Sequence, residues 1–67
     1  MINQLKRARL IAGLTQMDLA DKIGVSAVTV HNWEVGRSSP RARRLPAIAD
    51  ALRIPVDVLI DEEEGAS

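Results

Sequence analysis

The chain contains no cysteine, which excludes disulfides and thiolate metal sites. It also has no run of about eighteen apolar residues, the length that a membrane-spanning helix needs. Its N-terminus lacks the apolar stretch and the small-residue cleavage site of a signal peptide. We therefore expect a cytoplasmic protein in a reducing compartment, with no membrane partner.

Catalytic and metal-binding sequence patterns are also missing. His31 is the only histidine, and it has no cysteine, second histidine or acidic cluster nearby to complete a metal site or a catalytic base. The sequence shows no nucleophile–histidine–acid set and no glycine-rich phosphate loop. We therefore expect neither enzymatic activity nor a metal or cofactor.

The net charge is zero, but the charges are unevenly distributed. All nine Lys and Arg residues precede residue 54, whereas four of the nine acids form the run at residues 61–64. Residues 1–60 consequently carry a net charge of +4 and form the one predicted domain. The acidic tail at 61–67 has no apolar anchor, and we expect it to be disordered.

Apolar residues recur at helical spacing, and no segment alternates as a strand would. The pattern predicts an all-α bundle of five helices, the first at about residues 2–12 and the next two within residues 15–35. Residues 37–43 are typical of a loop. A fourth helix then starts near Arg44 with Pro46 in its first turn, and Pro55 starts a short fifth helix.

The second and third helices are predicted to be joined by a very short turn. Thr15 and Asp18 form a capping-box pattern, and Gly24 ends the second helix with a positive φ. Ser26 then caps the third helix. So short a connection makes the helices cross steeply, and Ala20 supplies the small side chain that a close crossing needs.

The third helix can be oriented by placing successive residues about 100° apart. Val30 and Trp33 fall on one side and supply its apolar burial. The opposite side is expected to face outward and carries Ala27, Val28, His31, Asn32 and Val35. Glu34 lies at the edge of the core side, where an acid usually has a basic partner. Arg9 is the candidate partner, and the alternative is that Glu34 extends into solvent.

Many spaced positions together resemble the helix-turn-helix domain of the phage repressor and Cro family, also called Xre-like regulators. The matching residues are Arg9, residues 13–16, Leu19, Ala20, residues 23–26, Val30, Trp33, Glu34, Gly36, Arg37 and Pro40. Residues 45–60 look like the fourth and fifth helices of that family. The resemblance covers about residues 2–60. It implies a five-helix bundle that binds operator DNA, usually as a symmetric dimer, with the third helix in the major groove.

The resemblance also implies roles for individual residues. Base contacts are expected from Ala27, Val28 and Asn32, to which we add His31 as a single hydrogen-bonding group. Phosphate contacts are expected from Gln16, Ser26, Arg37 and Ser38. Arg41 and Arg43 are also expected to contact phosphates, because they lie next to the helix-turn-helix. Charge pattern alone equally allows them to be solvated surface residues.

Two further sets of contacts follow from the resemblance. In the family, the residues that match Arg9 and Glu34 form an ion pair, which favours that pair here. A dimer interface is expected at Arg53, Pro55, Val56, Val58 and Leu59. The apolar surplus of this short segment supports that interface, since its side chains cannot all face one small core.

One departure from the family concerns Ala27 and Val28. The family usually has a polar side chain at one or both of these positions, and here both are apolar. Apolar side chains can contact a thymine methyl, and Asn32 can pair with adenine through two hydrogen bonds. We expect an A·T-leaning site with much of the affinity from phosphate contacts and DNA shape.

Two functions remain open at this point. The first is a sequence-specific transcriptional regulator, a repressor that binds an inverted-repeat operator in double-stranded DNA as a homodimer. The alternative is a protein-interaction module, such as the antitoxin of a toxin–antitoxin pair. The outward apolar residues of the third helix and the acidic tail motivate this protein partner. A bacterial or phage-encoded protein is expected in either case.

Overall fold

A computed structural model describes residues 3–59, and every regular element in that range is helical. The elements are α1 (Asn3–Ile11), α2 (Gln16–Ile23), α3 (Ala27–Val35), a 3₁₀ turn (Ala42–Arg44) and α4 (Leu45–Leu52). Residues 56–59 are helical again and belong to a fifth helix, α5. The predicted all-α fold is confirmed. Ile60 and the predicted tail at 61–67 lie outside the described residues.

Local hydrogen bonds set both ends of α2. The Thr15 hydroxyl accepts from the Asp18 N–H at 2.9 Å, and the Thr15 N–H donates to the Asp18 carboxylate at 2.9 Å. These are the two bonds of the predicted capping box, and they hold the pKa of Asp18 below its ordinary value. At the other end, Gly24 has φ 80°. The N–H groups of Gly24 and Val25 both donate to the Ala20 carbonyl, so the chain reverses within a few residues.

The hydrophobic core lies where the helices meet around α2. Its buried members are Leu5, Leu19, Ala20, Val30, Trp33, Leu45, Ile48, Ala49, Leu52 and Leu59. α2 contacts both α3 and α4, so it forms the centre of the bundle. Ala20 is almost completely buried, as expected for the small residue at a steep crossing.

The segment between α3 and α4 is more ordered than a simple loop. Residues 42–44, predicted as the end of a loop and the start of a helix, form a 3₁₀ turn, so α4 begins at Leu45. The Arg44 guanidinium donates to the Ile23 carbonyl at 3.4 Å. This contact ties the turn to the C-terminal end of α2. Pro46 lies in the first turn of α4, as predicted.

We predict that Leu19→Ala lowers the free energy of unfolding by about 2–5 kcal/mol. Leu19 is fully buried, so truncation removes apolar contacts and leaves a cavity beneath α2. Met17 lies on the same helix but is 62% exposed. Met17→Ala should therefore change stability by no more than about 0.5 kcal/mol. Urea denaturation followed by far-ultraviolet circular dichroism measures both variants, and equal losses would contradict the assigned core side of α2.

Candidate nucleic-acid interface

The outward side of α3 is accessible along the helix. The residues there are Ala27, Val28, His31, Asn32 and Val35. Val28 is 68% exposed, whereas Val30 and Trp33 on the other side are buried. The orientation derived from helical spacing is therefore confirmed. α3 is anchored by its buried side and presents small and polar side chains to solvent.

Ser26 caps the start of α3. Its hydroxyl accepts from the Thr29 N–H at 3.1 Å and lies 3.0 Å from the Thr29 hydroxyl. The first N–H groups of a helix have no partner within the helix, and the positive end of its dipole lies there. This end of α3 therefore favours an anion, such as a phosphate beside Ser26.

A buried ion pair joins α1 to α3. The Arg9 Nε donates to Glu34 Oε2 at 2.6 Å, and Nη2 donates to Oε1 at 3.0 Å. The two side chains are only 8% and 2% exposed. The remaining nitrogen, Nη1, donates to the Leu14 carbonyl at 2.8 Å. One guanidinium thus connects α1, the α1–α2 turn and α3.

Gln16, the first residue of α2, extends this pair into a polar network of Arg9, Glu34, Gln16 and His31. Its Nε2 donates to Glu34 Oε1 at 3.1 Å and lies 3.4 Å from His31 Nδ1. The resemblance implied a phosphate contact for Gln16, which stays a prediction. In the structure Gln16 is half-buried, and its amide nitrogen faces Glu34 and His31 of α3. No sequence signal pointed to the contact with His31, since it depends on how α2 and α3 cross.

The network keeps Glu34 and Arg9 charged. Burial on its own would raise the pKa of Glu34, but hydrogen bonds from Arg9 and Gln16 outweigh it and hold the pKa below its ordinary value. Hydrogen bonding to Glu34 in turn raises the pKa of Arg9. Near neutral pH the Glu34 oxygens therefore only accept hydrogen bonds.

Exposed basic and hydroxyl side chains follow α3 directly. They are Arg37, Ser38, Arg41 and Arg43. The Arg37 and Ser38 N–H groups donate to the Asn32 carbonyl at 2.9 and 3.4 Å, so the backbone of this segment is fixed to the end of α3. The side chains of Arg37 and Ser38 therefore extend from a backbone that is anchored to α3.

The residues predicted for a dimer interface do not all face outward. Arg53 and Pro55 are exposed, and Val56 and Val58 are half-buried. Leu59 is only 5% exposed and belongs to the core. Its side chain is already covered within the single chain, so it offers little surface to a second subunit.

Comparison with known sequences agrees with this arrangement. The model of a family described as helix-turn-helix matches residues 5–59. The chain belongs to this family. It is a helix-turn-helix regulator of the Cro and Xre type, as the resemblance implied. Membership identifies residues 5–59 as a DNA-binding domain.

Several relatives of this helix-turn-helix regulator carry names that state a role. The chain is 38% identical over 56 residues to the cryptic phage CTXphi transcriptional repressor RstR of Vibrio cholerae, covering 84% of this chain and 50% of that protein. It is 31% identical over 61 residues to the transcriptional activator BcrR of Enterococcus faecalis, covering 91% of this chain and 30% of that protein. An HTH-type transcriptional regulator of Methanocaldococcus jannaschii is 37% identical over 65 residues, covering 96% and 98%. The chain thus spans half or less of the first two relatives.

Within residues 3–59, no group of three or more His, Cys, Asp or Glu side chains is arranged to hold a metal ion. No helix in that part of the chain is long and apolar enough to cross a membrane.

We predict that Glu34→Gln alone destabilises the regulator by about 3–5 kcal/mol, because Arg9 would keep a buried charge without its partner. The double variant Arg9→Met with Glu34→Leu should lose clearly less stability than the single variant, because no charge stays buried without a partner. It still loses the donor to the Leu14 carbonyl and the acceptor for Gln16. Urea denaturation near neutral pH measures both. A double variant as unstable as the single one would contradict this account of the pair.

The double variant Arg9→Met with Glu34→Leu is also the reference for measuring how the free energy of unfolding depends on pH. The pKa of Glu34 is lower in the folded chain, so its stabilisation is present above the ordinary glutamate value of about 4.3 and is lost as pH falls through the folded pKa. The native chain should therefore lose more free energy of unfolding than the double variant between about pH 5 and pH 2. Parallel losses in the two proteins would contradict the prediction.

Proposed function

We propose that this regulator is a repressor that binds an inverted-repeat operator as a homodimer, with α3 in the major groove. The observation that carries the proposal is the two-sided character of α3. Val30 and Trp33 are buried in the core. On the opposite side Val28, His31 and Val35 are exposed, and Ala27 and Asn32 are half-buried. The anchored basic segment that begins at Arg37 follows this exposed side directly.

Base readout is assigned to the outward side of α3. Asn32 pairs with adenine through its amide, and the exposed Val28 contacts a thymine methyl. Ala27 has no polar atom and contributes shape and apolar contact. We infer an A·T-leaning half-site in which a few direct contacts are supplemented by DNA shape.

Phosphate contacts are assigned to the ends of the helices and the segment after α3. The dipole and free N–H groups at the start of α2 favour a phosphate beside Gln16, even though its amide nitrogen is engaged with Glu34. The side chains that complete the set are Ser26, Arg37, Ser38, Arg41 and Arg43. These contacts fix the register on DNA without reading sequence.

Dimer formation is assigned to the start of α5. Exposed Arg53 and Pro55 and half-buried Val56 and Val58 support it, because the single chain leaves part of their surface uncovered. Repression requires only that the operator be occupied, and the relative RstR is named a repressor. We place the protein in the cytoplasm of a bacterium, encoded by the host or by a phage.

A second candidate function is binding a protein partner, as an antitoxin does. Val28 and Val35 are exposed on α3, and apolar side chains of this kind favour a protein contact. The experiment below separates the two functions.

The first experiment is selection of binders from random duplex DNA at about 100 mM salt, where phosphate contacts alone give weak, unselective binding. We expect an enriched inverted repeat whose half-sites lie about one helical turn apart. Folded protein that enriches no sequence would overturn the proposal and direct the search to a protein partner.

Two variants then separate phosphate contacts from base contacts. Arg37→Ala should weaken binding to every duplex and reduce the salt slope by about one unit. Asn32→Ala should instead relax the preference at one base pair, because its amide reads a base. Fluorescence anisotropy titrations with labelled duplexes at several salt concentrations measure both effects.

Lys22→Ala provides a charge-matched control for these titrations. Lys22 lies in a cleft with Asp50 and Arg53 and not on the outward side of α3. Its loss should leave affinity and salt slope nearly unchanged. If Arg37→Ala and Asn32→Ala both weakened binding to every duplex by the same factor, the assignment of Arg37 to phosphate and Asn32 to a base would be contradicted.

A further inference from the structure

The polar network fixes the direction of each hydrogen bond within it. Glu34 is ionised beside Arg9, so its oxygens only accept. The end of the Gln16 amide that lies 3.1 Å from Glu34 Oε1 must therefore be the NH₂ group.

The same amide nitrogen determines the state of His31. It lies 3.4 Å from His31 Nδ1, and an amide NH₂ group has two hydrogens to donate and no acceptor. The contact is favourable only when Nδ1 carries no proton. A neutral imidazole with a bare Nδ1 carries its proton on Nε2.

His31 therefore presents a defined group to a ligand. It is exposed on the outward side of α3, beside the half-buried Ala27 and Asn32. Within residues 3–59, Gln16 is its one hydrogen-bond partner. The Nε2–H on the far side of the ring remains free to donate.

We propose that His31 is a specificity-determining residue that donates its Nε2–H, preset by Gln16, to guanine in the operator. This inference rests on the proposed DNA-binding function and deepens it. In the major groove guanine presents two adjacent acceptors, N7 and O6, and no donor. Adenine presents N7 beside an amino donor, thymine presents O4 beside a methyl group, and cytosine presents the N4 amino donor, so guanine suits a donating Nε2–H best. Each A·T-leaning half-site then contains one guanine opposite His31.

The first test needs no DNA. Long-range ¹H–¹⁵N correlation spectra at about pH 8, where imidazoles are neutral, show which ring nitrogen carries the proton. We expect the proton on Nε2 in the native chain and a mixture of tautomers in Gln16→Met, which keeps the side-chain length and removes the NH₂ group. The proposal is overturned if Nδ1 carries the proton in the native chain, or if both proteins give the same mixture.

The second test uses the selected operator. His31→Phe retains a flat ring but has no donor, so it should reduce the preference for guanine at one position of each half-site by about 2- to 12-fold, the value of one hydrogen bond. At that position, 7-deazaguanine removes N7, and adenine replaces O6 with an amino donor. One of these changes should weaken binding of the native protein by the same factor and leave the variant unaffected.

The outcomes separate this inference from the proposed function. An enriched operator whose base preferences are unchanged in His31→Phe overturns the role of His31 and leaves the DNA-binding function intact. If no operator is enriched, guanine recognition fails together with the proposed function. The spectra still report whether Gln16 sets the tautomer of His31.

Discussion

The ion pair between Arg9 and Glu34 is the contact on which the rest of the structure depends. Two buried charges are unfavourable unless each is neutralised and hydrogen-bonded. Here both carboxylate oxygens accept from the guanidinium, and its third nitrogen donates to the Leu14 carbonyl. α1 and α3 are therefore held in one relative position, since a small displacement would leave a charge unpaired.

Gln16 extends the same constraint to α2. Its amide reaches Glu34 from the first residue of that helix, so all three N-terminal helices meet at one carboxylate. The side of α3 that faces away from this carboxylate is thereby fixed relative to α2. A single polar interaction contributes in this way both to the bundle and to the presentation of the proposed DNA-reading side chains.

The features that could be predicted from sequence are mostly local ones. The Thr15–Asp18 capping box and the positive φ of Gly24 involve residues a few positions apart, and short-range hydrogen bonds define them. The orientation of α3 followed from Val30 and Trp33, because burying the large Trp33 side chain outweighs exposing the smaller apolar side chains on the opposite side. Arg9 could be named as a candidate partner because an acid at the edge of the core side usually has a basic partner. The family resemblance then favoured this pair over a Glu34 that extends into solvent.

The features that sequence did not reveal depend on assembled helices. The contacts Gln16–His31 and Arg44–Ile23 join residues that are 15 and 21 positions apart, and no periodicity encodes them. Leu59 is apolar, so its residue type did not distinguish the core from a subunit interface.

Trp33 has a practical consequence for following the folding of the chain. It is the one aromatic side chain of the sequence and lies within the core, so its intrinsic fluorescence reports the packing beneath α3 without any introduced label.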